Sequence, residues 1–242
     1  MTMLITGASG KLGRELVKVF PRALKPSRQE FDITDRERVL NYLCTNDPKI
    51  VIHTAALTNV TECEINREKA YKINVQGTEN VVRFLSSNCY FVLISTACVF
   101  HGDVGDYTEH DLPYPKNYYS LTKLLAETIV KSSRLHNCLI IRTNFVAREK
   151  WRYPKAFIDR FGTYLFADDV ALAIKETISA HTTGIIHICG VEKMSMFDLA
   201  RITTPDIKPM TMKEYTGIAP LTVDMSLSSI RINPFKIRGE VM

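Results

Sequence analysis

The stretch Met3-Leu4-Ile5-Thr6-Gly7-Ala8-Ser9-Gly10-Lys11-Leu12-Gly13 passes from three apolar residues through a glycine-punctuated turn into an amphipathic segment. Residues 3–5 read as a short buried strand, and Leu12, Leu16, Val17, Val19 and Phe20 then recur at helical spacing. The glycines fall as G-x-x-G-x-x-G. Between a strand and a helix they permit a tight turn and let backbone N–H groups approach a pyrophosphate, whose charge the helix dipole favours. A glycine-rich turn without a ligand would satisfy the same letters. The strand–turn–helix context is what makes Gly7, Ser9, Gly10, Lys11, Leu12 and Gly13 candidates for dinucleotide binding.

Outward from this turn, strand and helix patterns alternate. A weak strand is expected at 22–24. Thr34-Asp35-Arg36-Glu37 reads as a capping box opening a helix through Val39, Leu40 and Leu43. Strands follow at 49–53, 90–95 and 138–142, with helices at 66–85 and 118–132 between them. Continuous apolar strands separated by helices indicate a parallel sheet covered on both faces, so the fold class is α/β, doubly wound. Beyond residue 143 the pattern loosens into an aromatic and basic loop, a helix at 168–179, a strand at 185–189, a short helix from Ser195 and a proline-interrupted tail. This reads as a small lobe packed on the sheet.

A chain of 242 residues with 45% hydrophobic and 24% charged content fits one principal core. The net charge of +5 is scattered rather than gathered in a run, so no nucleic-acid surface is indicated, whereas a bound anionic small molecule fits. Cys44, Cys63, Cys89, Cys98, Cys138 and Cys189 show no C-x-x-C pair and no zinc-site spacing, so no metal is expected and they read as buried free thiols. Residues 90–100, the most apolar run, are too short to cross a bilayer, and no secretory signal leads the chain, so a cytoplasmic location is expected.

An NAD site places an acidic residue near the end of the second strand, about 20 residues past the glycines, to take the ribose hydroxyls. Here that neighbourhood is Lys25-Pro26-Ser27-Arg28. A guanidinium at Arg28 would instead pair with a 2′-phosphate, favouring NADP over NAD as cofactor; a solvated loop arginine is the alternative. Farther on, "NYYSLTK" (117–123) sets Tyr119 four residues before Lys123, on one helix face. That spacing alone does not separate a proton-transfer pair from a surface pair.

The segments "TGASGKLG" (6–13), "FDITD" (31–35), "HTAALTNV" (53–60), "INVQGTEN" (73–80), "ISTACVFHG" (94–102), "YYSLTK" (118–123) and "LIIRTNFV" (139–146) follow a known order. In them the chain resembles the extended short-chain dehydrogenase/reductases. Within that superfamily it is most similar to the dTDP-4-dehydrorhamnose reductase family, which includes regulatory β subunits of methionine adenosyltransferase. The resemblance implies a Rossmann core at 1–143, with 144–242 completing the sheet and adding the substrate lobe. It also implies hydride transfer from NADP(H) to a nucleotide-sugar ketone, with catalysis by Thr96, Tyr119 and Lys123. Tyr119 would donate the proton, Lys123 would lower the phenol pKa from about 10 and hold the nicotinamide ribose, and Thr96 would bind the carbonyl.

Asp32 and Ile33 would flank adenine; Ala55, Ala56 and Leu57 would lie beneath the nicotinamide ribose; Asn74 would organise the site. Ala55 and Ala56 could equally be close packing, and Asn74 a satisfied buried amide. Besides the substrate, the family allows a homodimer or a regulatory partner protein; a regulatory subunit without turnover and a nucleotide-sugar epimerase are the alternative functions.

The chain departs from the family in its substrate positions. Ala97 stands where an aspartate contacts the sugar, Cys98 where a tyrosine is usual, and Phe145 where tryptophan is usual. Only residues 147–158 span a segment that is longer in the family, so a shallower pocket, or one completed by another subunit, is expected. The loop Arg148-Glu149-Lys150-Trp151-Arg152-Tyr153, with the single tryptophan, suits either a solvated loop or subunit contact or the stacking of a base and neutralisation of a diphosphate. His101 and His110 read as exposed residues.

Overall fold

The computed structural model describes residues 2–238. In chain order its first elements are β1 (Met3–Thr6), α1 (Lys11–Val19), α2 (Arg36–Asn46), β2 (Ile50–His53), α3 (Val60–Ile65), α4 (Arg67–Tyr71), α5 (Gly77–Phe84), β3 (Tyr90–Ile94), α6 (Tyr118–Lys131) and β4 (Asn137–Thr143). Then come β5 (Phe145–Val146), β6 (Lys155–Phe157), β7 (Phe161–Gly162), β8 (Leu165–Phe166), α7 (Ala167–Ser179), β9 (Gly184–Ile188), β10 (Met194–Ser195), α8 (Met196–Thr203) and β11 (Lys208–Met210). The strands β1, β2, β3, β4 and β9 form one sheet in that order, every pair parallel.

Because successive strand residues face opposite sides, each strand feeds two cores. Leu4, Val51, Phe91, Leu93 and Ile140 pack with Val39, Leu43, Val81, Ala126 and Val130 of α2, α5 and α6. Ile5, Ile52, Val92, Ile94 and Ile141 pack with Leu12, Leu16, Val170 and Ile174 of α1 and α7. Two apolar layers on one parallel sheet are what a doubly wound fold requires.

The strand expected at 22–24 is reduced to one bridge, in which Ile5 N–H donates to Leu24 O at 2.9 Å and Leu24 N–H to Met3 O at 2.8 Å. Pro21 and Pro26 flank it, and proline cannot supply the next ladder donors. The bridge still matters for topology. It lies on one side of β1 while β2 lies on the other, so the winding reverses between β1 and β2. Open α/β sheets bind ligands at such a switch, beyond the carboxyl ends of the strands.

Two helix expectations are corrected. Asp35, not Thr34, caps α2, its carboxylate accepting from the Glu37 and Arg38 N–H groups at 3.1 Å each; Thr34 bonds to Asp32 instead. Asp outranks Thr as an N-cap and is already one residue nearer the helix. Residues 66–85 are not one α-helix either, since α4 and α5 are joined by a five-residue π-helical segment, Lys72–Gln76.

In the C-terminal part, β5 pairs with β8 and β6 with β11 in parallel, and β7 pairs antiparallel with β10. They frame a third core of Phe100, Tyr164, Phe166, Leu199, Met225 and Leu227. All six cysteines are free thiols, but only Cys63, Cys89 and Cys189 are buried; Cys98 and Cys138 are partly buried and Cys44, on α2, is exposed. Among the described residues no helix is long and apolar enough to cross a membrane.

Candidate active site

The glycine turn is built for close backbone approach. Gly7 has φ +67°, and a Cβ there would lie 2.7 Å from Ala55 N; one at Gly13 would lie 2.2 Å from Gly7 O. The turn is thereby pressed against both the start of α1 and the end of β2. Gly10 caps α1 with no side-chain hydrogen bond, and the first turn carries no acidic residue. Its leading amides are left open to an anion. Gly10, Lys11, Leu12 and Gly13 line a cleft of about 1110 Å³ that continues past Ser95, Thr96, Tyr119, Lys123 and Phe145. Thr143 lines it too, and its hydroxyl is buried without a hydrogen-bond partner. An uncapped helix start at one end and an orphaned hydroxyl at the other fit a dinucleotide laid along the cleft.

The reactive end lies where β3 and β4 stop. The pairing of Ile94 with Ile141 brings Thr96 and Thr143 to the same rim. Thr96, buried, accepts the Cys98 N–H at 3.1 Å and caps a short turn. Asn117 caps α6: its Oδ1 accepts the Ser120 N–H at 2.9 Å while its Nδ2 donates to Pro220 O at 3.0 Å. Glu64 accepts the Tyr118 N–H at 2.6 Å. Three anchors therefore fix the helix turn that presents Tyr119.

Burial pushes the half-buried Tyr119 phenol well above its ordinary pKa, the neighbouring Cys98 and Cys63 add to the rise, and the Thr96 side chain opposes it. Lys123 is buried, and its Nζ donates to Ile94 O at 2.7 Å. Burial lowers its pKa to about 8, against the pull of Glu127. Burial dominates the phenol, and Lys123 spends one of its donors on a carbonyl.

Asn74 is brought in by the π-helical segment and is fully satisfied. Its Oδ1 accepts the Leu57 N–H at 2.7 Å, and its Nδ2 donates to Leu57 O at 3.0 Å and Thr122 Oγ1 at 2.9 Å. It clamps the loop after β2 to α6 rather than facing the cleft.

Beneath it runs a buried polar chain. The Thr78 hydroxyl donates to Asn74 O at 2.8 Å, which leaves its oxygen to accept from His53 Nε2 at 3.2 Å. His53 Nδ1 then accepts from Thr6 Oγ1 at 2.8 Å. Burial first, and the Lys123 charge second, lower the His53 pKa to about 3.

A histidine that stays neutral when folded but titrates near 6.5 when unfolded costs stability as pH falls below that value, because the unfolded chain then binds the extra proton. Between pH 7 and pH 5 this one group should remove about 2 kcal/mol. Urea melts at the two pH values should show that loss in the wild type and a smaller one in His53→Gln. Equal losses would show that His53 is not the titrating group.

Several expected contacts fall outside the cleft wall. Ala56 lines the cleft, whereas Ala55 packs against the Gly7 turn and Leu57 is held by Asn74. Asp32 accepts from the Thr34 N–H at 2.9 Å, Ile33 is buried against Gly77, and Ala97 is 1% exposed within the third core. Arg28 is exposed and paired with Asp32 at 3.3 Å. Ser9 borders a second, smaller hollow.

His110 is exposed; His101 is partly so, with its Nδ1 3.6 Å from Asp103. Residues 149–157 wall the cleft despite their shortness, with Trp151 half-buried and its backbone N–H donated to Thr204 Oγ1 at 2.8 Å. Lys150, Arg152, Tyr153 and Lys155 share that wall, whereas Arg148 is drawn off by Asp168 at 3.1 Å and Asp169 at 2.9 Å. Met196 and Tyr215, from the C-terminal lobe, complete it and carried no sequence signal.

Sheet, turn and cleft together define a doubly wound α/β protein of the dinucleotide-binding class. Residues 1–227 match the RmlD substrate binding domain family, and the chain belongs to that family. It is 28% identical to a dTDP-4-dehydrorhamnose reductase of Aggregatibacter actinomycetemcomitans, over 82% of this chain and 76% of the other. It is 26% identical to methionine adenosyltransferase 2 subunit beta of Rattus norvegicus, over 82% of this chain and 70% of the other. Its structure resembles that of a dTDP-4-dehydrorhamnose reductase of Bacillus anthracis in complex with NADP, with a TM-score of 0.85 at 26% identity, covering 94% of this chain and 91% of that one.

Proposed function

We propose that this protein is an NADP(H)-dependent reductase of a 4-keto-6-deoxy nucleotide sugar, and that dTDP-4-dehydrorhamnose, giving dTDP-rhamnose, is its substrate. The observation that carries the reading is that Thr96, Tyr119 and Lys123 line the same cleft as the open amides of the glycine turn. The named activity of the reductase relatives supports the substrate class.

NADPH, when bound, supplies the hydride. The α1 amides would hold its pyrophosphate, and Lys11, which lies 3.7 Å from Glu149, would turn to neutralise part of the charge. Thr96 donates a hydrogen bond to the substrate carbonyl oxygen. Tyr119 Oη passes its proton to that oxygen as the ketone becomes an alcohol, and the phenolate left behind is stabilised by the Lys123 ammonium and regains a proton from water. Lys123 has three donors and uses one on Ile94 O, which leaves two for the ribose and the phenolate. Trp151 and Tyr153, with Lys150 and Arg152, offer ring faces and cations to the nucleoside diphosphate.

The test is to follow NADPH oxidation with dTDP-4-dehydrorhamnose and to identify the sugar product. Turnover to dTDP-rhamnose is expected. NADPH binding with no turnover on any 4-keto nucleotide sugar would overturn the reading and favour a regulatory, non-catalytic role.

A further inference from the structure

The cleft wall is rich in cations and poor in free acids. Among the described residues Lys11, Lys123, Lys150, Arg152, Lys155 and Arg160 line it, against Glu62 and Glu149 alone. Both carboxylates are committed, Glu62 to Lys69 at 2.6 Å and Glu149 to Lys11 at 3.7 Å. Lys155 has its own acid in Glu214 at 3.1 Å, and Lys123 is held by Ile94 O. Lys150 and Arg152 share the wall loop with Trp151 and Tyr153, the surface offered to the nucleoside diphosphate. Arg160, between β6 and β7, has none of these roles.

Its side chain is partly buried and its donors are poorly matched. Nε donates to Thr222 O at 2.8 Å, but Nη1 meets only the Met196 sulfur at 3.9 Å and Nη2 only the Met225 sulfur at 3.4 Å. A thioether is a weak acceptor, so the outer edge of the guanidinium lacks a counter-charge. The acids beside Arg160 and Met225 in the chain are spent elsewhere: both Asp159 oxygens accept the Met212 N–H, and Asp224 pairs with Lys193. Met225 Sδ also lies 3.2 Å from Cys98 Sγ, and the Cys98 N–H is the one that Thr96 Oγ1 accepts. One thioether therefore separates Arg160 from the turn that presents Thr96, which puts this cation at the sugar end of the cleft.

We propose that Arg160 reads a carboxylate on the reacting sugar, so that the cleft also takes 4-keto nucleotide sugars of the uronate class, which carry a carboxylate where a 6-deoxy sugar carries a methyl group. The inference rests on the reductase reading above and widens its substrate class. A guanidinium edge and a carboxylate match in plane and spacing and form paired charge-assisted bonds, which a methyl group cannot. A cation drawn from water without an anion is costly, and the ligand's carboxylate removes that cost. The chemistry at C4 is unaltered: the NADPH hydride goes to C4, the Tyr119 proton to O4, and the carboxylate is carried through unchanged.

A 4-keto uronate is a β-keto acid and loses CO2 readily, so its stable 4-hydroxy counterpart, dTDP-glucuronate, is the probe and dTDP-glucose the neutral control. In calorimetry on the full-length protein, wild type should bind dTDP-glucuronate at least about tenfold more tightly than dTDP-glucose. Arg160→Gln should erase that preference while holding dTDP-glucose and dTDP within about twofold, and Arg160→Lys should keep part of it. NADPH binding checks the fold of each variant, and Arg160→Lys carries the test if the glutamine variant does not fold. Equal wild-type affinities overturn the proposal. So does an Arg160→Gln protein that loses dTDP as much as dTDP-glucuronate, because the cation then serves the diphosphate. Turnover of dTDP-4-dehydrorhamnose together with equal affinities removes this inference and leaves the reductase reading standing. A wild type that binds NADPH but neither dTDP-sugar overturns both.

Discussion

Exchanging Tyr119 for Phe should lower turnover by about 10²–10⁴-fold and leave NADPH affinity within about twofold, the range expected when a positioned general acid is removed. The ring that walls the cleft is retained, so packing survives and only the transferable proton is lost. Because burial holds the phenol above its ordinary range, Tyr119 starts the cycle protonated at neutral pH. The pH dependence should therefore come from Lys123. Its pKa near 8 means that the ammonium is present below that value and lost above it, so activity should fall on the alkaline side of about pH 8. A pH–rate profile flat from pH 7 to pH 10, or a Tyr119→Phe protein with wild-type turnover, would remove Tyr119 and Lys123 from these roles.

What the sequence disclosed and what it concealed divide along physical lines. Strand periodicity and glycine spacing are local, so the five parallel strands, the turn at 7–13 and the helix carrying Tyr119 were legible. Thr96, Tyr119 and Lys123 were legible only through the family resemblance that the ordered motifs carry, and the structure brings them to one cleft.

Direction was harder to read than position. Nothing in "YYSLTK" says that Lys123 turns onto Ile94 O, because that depends on where β3 ends relative to α6. Asn74 looked like one residue of a continuous helix; the π-helical segment that aims it at Leu57 is a tertiary outcome without a composition signature. Arg28 and Arg14 are equally polar in the sequence, and only the fold shows that one is spent on Asp32 while the other borders a hollow. Glu127 and Arg142 went unremarked, although an arginine within the apolar run Leu139–Ile141 and its flanks asks for a buried anion.

That pair is the structural support of the reactive helix, and Glu127→Gln should show it. The Arg142 and Glu127 side chains are 2% and 0% exposed, with Nη2 to Oε2 at 2.8 Å and Nε to Oε1 at 3.1 Å. Ser95, next to Thr96, donates to Glu127 Oε1 at 2.5 Å, and the guanidinium sits 5.0 Å from the Phe100 ring centroid. Removing the carboxylate charge leaves a buried guanidinium unpaired, which costs about 3–5 kcal/mol. Urea unfolding at pH 7 should show that loss, and the double variant Glu127→Leu with Arg142→Met should recover much of it, since it leaves no buried charge.

A second readout separates this from simple destabilisation. Glu127 lies one helical turn beyond Lys123 and raises its pKa against burial. Without the carboxylate the Lys123 pKa should fall further, and the alkaline loss of activity should begin at lower pH in Glu127→Gln than in wild type. Unchanged stability would deny the pair its structural role. An unmoved alkaline limb in a destabilised variant would confine Glu127 to packing and leave Lys123 governed by burial alone.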